Sequence, residues 1–165
     1  MIYPSRCGFC GKDTFDSLQP SCYILPRIGI QLEKNAIWNL KSQLITEQSA
    51  FNLTGGLHAV AAVNAKGLIE VLKEDVGRHN ALDKVVGSLL EKEHPPFTNK
   101  ALLLSGRTSF EMVHKAMMAG FPMVIAIGAP SSMAVDFAEE NNMTLIGFLK
   151  ENRMNIYSAQ QRVVF

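Results

Sequence analysis

Residues 101–148, ALLLSGRTSFEMVHKAMMAGFPMVIAIGAPSSMAVDFAEENNMTLIGF, alternate short apolar runs with amphipathic stretches. Residues 101–104 have the length and composition of a buried strand. Thr108 followed by Glu111 reads as a capping box opening a helix, which Gly120 and Pro122 then stop. The unit recurs: 124–127 is apolar, Ser131 or Ser132 caps a helix running to about Asn141, and 144–148 supplies another strand.

Working outward, Leu82, Val85, Val86, Leu89 and Leu90 share one helical face, with Asn80 and Asp83 as the capping pair. Before that helix, strand-like runs at 58–64 and 68–73 flank the turn Ala65-Lys66-Gly67 and predict a hairpin. Ile37, Leu40, Leu44 and Ile45 predict a helix over 33–50, and 155–157 is a final short strand. This alternation predicts an α/β fold with helices on both faces of a mixed, largely parallel sheet, in three α/β/α layers. Residues 1–26 carry all three cysteines without any sustained period and read as a mobile segment; 27–165 read as a single α/β domain.

With 165 residues, 47% of them apolar, the chain can bury a sizeable core, and a net charge of +1 offers no field for nucleic acid or a membrane surface. No apolar run is long enough to span a bilayer and the start lacks the order of a secretory signal, so the expectation is cytoplasmic. Three cysteines near one end are too few for a disulfide framework.

In such sheets the loops leaving strands toward helix N-termini gather at one edge, where free amides favour anions. Two of these loops carry arginine: Glu74-Asp75-Val76-Gly77-Arg78-His79-Asn80 and Ser105-Gly106-Arg107-Thr108-Ser109. Each joins a glycine for close approach to a guanidinium suited to phosphate, and together they suggest a phosphorylated ligand. Against this stands a plain alternative, surface ion pairs of Asp75 with Arg78 or Arg107 with Glu111. Cys7-Gly8-Phe9-Cys10-Gly11 allows half a zinc site, a redox dithiol or a nucleophilic thiol that carries a transferred group. Arg6 and Lys12 flank the thiols and should lower their pKa, which fits a carrier. His58, opening a strand, is a ligand contact or a satisfied strand-end histidine. Cys22, Met112, Met117 and Met118 read as packing residues.

The helix, the strand opening with His58, and Pro130-Ser131-Ser132-Met133 are laid out as in the zinc-dependent cytidine deaminases. Val60 replaces their glutamate, and Ser131 and Ala134 stand where their cysteines would be, so zinc and proton shuttle are both missing. Taken together, Cys7-Gly8-x-Cys10-Gly11, Thr54-Gly55-Gly56-x-His58, Glu74 to Lys84, Ser105-Gly106-Arg107-x-Ser109-x-Glu111-Met112 and Ala129-Pro130-Ser131-Ser132 resemble the formate dehydrogenase accessory sulfurtransferase family. The resemblance implies a cytidine deaminase-like fold without its zinc site and no metal of its own. It also implies a relay of persulfide sulfur from a cysteine desulfurase to the molybdenum bis-pyranopterin guanine dinucleotide cofactor of formate dehydrogenase. Cys7 then matches the persulfide-forming thiol and Cys10 its partner, while Phe148, Leu149, Lys150, Glu151, Asn152 and Arg153 align with the stretch associated with the cofactor. His58, Arg78, His79, Ser105, Gly106 and Arg107 complete the expected cofactor site, and the resemblance suggests a homodimer. Six residues precede Cys7, fewer than the resemblance leads one to expect, which reads as a truncated or short variant. The rival function is a non-catalytic chaperone that binds and inserts the same cofactor.

Overall fold

The computed structural model describes residues 24–165, so Cys7, Cys10 and Cys22 lie outside the described residues. Strand β1 (Leu32–Glu33) leads into helix α1 (Lys34–Glu47), followed by the short helix α2 (Ser49–Thr54). Strands β2 (His58–Val63) and β3 (Ile69–Asp75) form the expected hairpin. Its turn is closed by Asn64, whose Oδ1 accepts from the amides of Lys66 and Leu68, and by Gly67 at φ 74°. Helix α3 (Arg78–Leu90) then leads to β4 (Ala101–Leu104), α4 (Phe110–Met118), β5 (Met123–Ala126), α5 (Ser132–Glu140) and β6 (Thr144–Lys150). Strand β7 (Arg153–Ser158) turns back against β6, and β8 (Val163–Val164) pairs in parallel with β1 to make a small second sheet that the sequence did not reveal.

The main sheet has the order β3-β2-β4-β5-β6-β7. It is mixed, but not largely parallel: β4–β5 and β5–β6 are parallel, while β2–β3, β2–β4 and β6–β7 are antiparallel. Two tight hairpins account for the two flanks. The third antiparallel pair arises because α3 carries the chain from β3 past β2, leaving β2 between two strands that run the same way.

Strand residues divide with period two between two cores. Val60, Leu102, Leu104, Val124 and Leu145 face Leu82 and Val85 of α3, Met112 and Val113 of α4 and Phe137 of α5. Ala61, Leu103, Ile125 and Ile146 face Ile37, Leu40 and Leu44 of α1. Helices therefore cover both faces, as three layers require, and α4 and α5 share one face because both connect neighbouring parallel strands in one direction. Ile45 and Leu90, read as core positions from their spacing, lie at the margins and are half exposed, as is Met118.

Both expected capping boxes are displaced. Helix α3 starts at Arg78 behind Gly77, so Asn80 lies within the first turn, and its amide donates to Asp75 instead of capping. Asp83 is taken by Lys115 of α4. Helix α4 starts behind Ser109, while Thr108 is buried in a backbone bridge to Pro130. At α5 Ser131 does cap, accepting from the Ala134 amide at 3.2 Å.

At the opposite end of the sheet Arg162 is fully buried. Its guanidinium donates to the carbonyls of Pro26, Ile28 and Asn142 and to the Thr144 hydroxyl. Burial pushes its pKa below the usual arginine value. Carbonyl oxygens stabilise the charge without a carboxylate, and in doing so they join residues 26–28 to the start of β6. Arg162→Met should cost about 3 kcal/mol, because three carbonyls and the Thr144 hydroxyl lose their donor at once. Arg162→Lys should restore only part of the loss, since an ammonium cannot reproduce the planar fork. Urea unfolding of the three proteins checks both expectations.

Candidate functional site

Because β3, β4, β5 and β6 run the same way, their C-terminal ends meet at one edge, beside the N-terminal ends of β2 and β7. That edge receives both arginine loops, His58 and the turn between β6 and β7. His58 is paired in the ladder with Asp75, and Asp75 organises the first loop. Its carboxylate forms an ion pair with Lys84 at 2.5 Å and accepts from the Gly77 amide at 2.8 Å and the Asn80 side chain at 3.2 Å. The Lys84 ammonium first, then the Gly77 N–H, hold its pKa down at about 2.

The second loop is sewn to β2. Ser105 Oγ accepts from the Ala59 amide at 2.9 Å, and the Ser105 amide donates to the Ala59 carbonyl at 3.0 Å. Gly106 then passes so close to the imidazole that a Cβ there would lie 3.3 Å from His58 Nδ1. The loop after β5 stacks on this one: Gly128 donates to the Gly106 carbonyl at 3.1 Å, and Thr108 donates to Ala129 at 3.0 Å. The end of β6 follows, with the Phe148 amide donating to the Gly128 carbonyl at 3.1 Å. Gly147 packs on Pro130, where a Cβ would come within 2.8 Å of the proline ring. Phe148 itself sits at φ 52°, a left-handed conformation that is strained for a bulky residue and coincides with a break in the β6–β7 register.

Among the described residues neither Arg78 nor Arg107 forms an ion pair, which removes the plain surface-pair alternative; Asp75 has taken Lys84 instead. Arg78 Nε is buried without a hydrogen-bond partner, as is Thr108 Oγ1, while Arg107 is exposed. Burial, and then the charges of Arg78 and Lys115, lower the pKa of His79. The Ser109 hydroxyl holds Glu111 below the ordinary carboxylate range, with Arg78 and His79 adding in the same sense.

The edge thus brings together His58, Arg78, His79, Ser105, Gly106, Arg107 and the exposed residues Phe148, Lys150, Glu151, Asn152 and Arg153. Leu149 is a correction: it is fully buried in the core under α1, because strand alternation turns it away from the surface that Phe148 and Lys150 occupy. Sequence reasoning missed Gly128 and Gly147, whose contacts are with segments remote in the chain. It also missed Asp75 as organiser, although an aspartate two residues before a glycine is a recognisable turn signal. No group of three histidine, cysteine or acidic side chains among the described residues could hold a metal ion, and none of their helices is long and apolar enough to cross a membrane.

Comparison with known proteins adds an independent line. The sequence profile of the FdhD/NarQ family matches residues 1–164. The chain belongs to the FdhD/NarQ family. A sulfur carrier protein FdhD from Nocardia farcinica is 44% identical over 99% of this chain, and one from Sulfurisphaera tokodaii is 42% identical over 99%. These alignments take in 59% and 62% of the two relatives, so the chain spans about three fifths of their length. A crystal structure from Desulfotalea psychrophila, provisionally described as a formate dehydrogenase accessory protein, superposes with a TM-score of 0.78 at 27% identity. It covers 92% of this chain and 63% of its own.

Two expectations follow for this FdhD/NarQ member. Adding a methyl at Gly128 would place it 2.7 Å from the Arg107 amide and the Gly106 carbonyl, both backbone atoms that cannot step aside alone. Gly128→Ala should therefore cost about 1–3 kcal/mol in calorimetry and displace the Arg107 loop. The Asp75 clamp gives a pH signature. With the folded pKa near 2 and the ordinary value at 3.8, its contribution is complete above about pH 4 and disappears as pH falls toward 2. Urea unfolding of wild type and Asp75→Asn should differ at pH 5 and converge toward pH 2.

Proposed function

We propose that this chain is a sulfur carrier that relays persulfide sulfur from a cysteine desulfurase to the molybdenum bis-pyranopterin guanine dinucleotide cofactor of formate dehydrogenase. The single observation that carries this reading is the convergence, at one sheet edge, of two unpaired arginines, His58 and the 148–153 turn. Guanidinium groups, loop amides and an exposed aromatic suit the phosphates and base of a guanine dinucleotide, which is a substrate here. The names of the FdhD relatives and of the Desulfotalea protein point to sulfur and to formate dehydrogenase as its client. A deaminase-like layering that has exchanged zinc for a nucleotide edge, and a homodimeric state, belong to the same reading.

In the chemistry we assign, the Cys7 thiolate attacks the outer sulfur of the donor persulfide. The donor S–S bond breaks and its thiolate leaves, so that Cys7 now carries the persulfide. Cys10 then attacks the Cys7 sulfur: the outer sulfur departs as sulfide and a Cys7–Cys10 disulfide forms. The dithiol has supplied the two electrons, and a cellular dithiol reductant resets it.

Intact-mass spectrometry after incubation with a cysteine desulfurase and cysteine is the test. The expected result is a reducible gain of one sulfur on the wild type that is absent from Cys7→Ala. No gain on the wild type, under conditions that load a known acceptor, would overturn the relay in favour of a cofactor chaperone.

A further inference from the structure

Glu74 has a place in the site that neither the family resemblance nor the arginine loops explain. Both of its carboxylate oxygens are engaged: Oε2 accepts from the Ala50 amide at 2.9 Å and Oε1 from the Phe51 amide at 2.7 Å. These are the second and third amides of α2, groups that a helix cannot satisfy within itself. The residue before the helix, Gln48, offers no side-chain cap, and no residue of α2 is buried. A six-residue helix with neither a cap nor a buried face has little to hold it in place. A carboxylate from a strand more than 20 residues further along the chain supplies the missing cap and meets the positive end of the helix dipole.

What α2 leads into gives this contact its consequence. The helix ends at Gly55, left-handed at φ 68°, whose amide donates to Phe51 at 2.7 Å. Gly56 and Leu57 follow, and the next residue is His58, the first of β2, with its ring against Gly106. The backbone of Glu74 lies in the same arrangement: it pairs with Ala59 across the ladder, and its carbonyl accepts from Lys84 at 3.2 Å, the lysine that also holds Asp75. One dipeptide, Glu74-Asp75, therefore touches both sides of the edge. Asp75 shapes the Arg78 loop, and Glu74 fixes the approach to His58.

We propose that Glu74 is a positioning residue whose carboxylate anchors α2 and thereby sets the Gly55-Gly56 turn that delivers His58 to the arginine edge. The structural part stands on its own. Only its effect on ligand affinity rests on the nucleotide reading of the edge.

The test compares the full chain with Glu74→Ala, Glu74→Gln and Glu70→Ala, the last removing a carboxylate of the same strand that bonds Lys100 instead of α2. Amide hydrogen exchange over residues 50–58, the NMR shifts of the His58 ring and the affinity for guanosine diphosphate are read for each. Glu74→Ala should speed exchange at Ala50, Phe51 and 55–58, move the His58 ring signals and weaken the nucleotide about tenfold, the scale of losing one helix cap. Glu74→Gln keeps an acceptor oxygen and should retain most of each property, and Glu70→Ala should alter none of them. Wild-type exchange at 55–58 and unmoved His58 signals in Glu74→Ala would overturn the proposal. Failure of the wild type to bind the nucleotide, with exchange and His58 responding as described, would instead sink the nucleotide reading and leave the positioning role standing.

Discussion

The candidate site depends on backbone meeting backbone at the ends of β4, β5 and β6. Gly128 donates to Gly106, Phe148 donates to Gly128, and Thr108 and the 129–131 loop exchange two further bonds. Loops are ordinarily the variable part of an α/β protein, with their polar groups turned to water. Here they bond one another as strands do, extending the sheet past its last side chains. Gly128 and Gly147 allow this because they have no Cβ to hold the loops apart, and Gly106 lets the loop lie against the His58 ring. Arg107 is consequently presented from a hydrogen-bonded platform, while Arg78 is held by the separate loop that Asp75 shapes, and fixed backbone of this kind is what pre-organised recognition of an anion asks for.

Charge is distributed to match. Every strong ion pair in the neighbourhood avoids the two loop arginines: Asp75 takes Lys84, and Asp83 takes Lys115. Those exposed pairs contribute little stability individually. Their effect is to leave Arg78 and Arg107 outside every ion pair among the described residues, with Glu111 acting on Arg78 only at longer range. A further cation, Lys100, sits at the other end of the sheet. Burial would lower its pKa, but Glu70 and Glu93 outweigh burial and raise it, so it is spent on structure and contributes nothing to the edge.

The fold's elements could be read from the sequence wherever a pattern was local. The hairpin turn over 65–67, the cap at Ser131, one of the two serines the spacing allowed, and the stop at Gly120 each depend on a few adjacent residues, although Asn64, read as the end of the strand, belongs to the turn. The sheet's direction was less legible: alternation of strands and helices does not say that α3 passes over β2 before β4 begins. The displaced caps fail for the same reason. Asn80 and Thr108 have the right neighbours in sequence, but Asp75 and Pro130 compete for them in space. Within the site the arginine loops and His58 were readable as residue types in a motif. Gly128 and Gly147 act through partners remote in the chain and no local pattern marks them, while Glu74 opens a quoted loop but its partners, Ala50 and Phe51, lie outside it. Leu149 was misplaced because a resemblance transfers a stretch as a block, whereas a strand shows only every second side chain to a given face.

Phe148 joins these observations. A phenylalanine at φ 52° is an uncommon arrangement that persists only where its surroundings enforce it. Two do: its amide is held by Gly128 on one side, and Leu149 is buried completely in the core on the other. Between those fixed points the chain must bulge, and the bulge turns the aromatic ring out at the same edge as Arg107 and Arg78. The cost is borne at the edge that carries both arginine loops, which is where a local departure from the strand rule is expected of a site and not of a core.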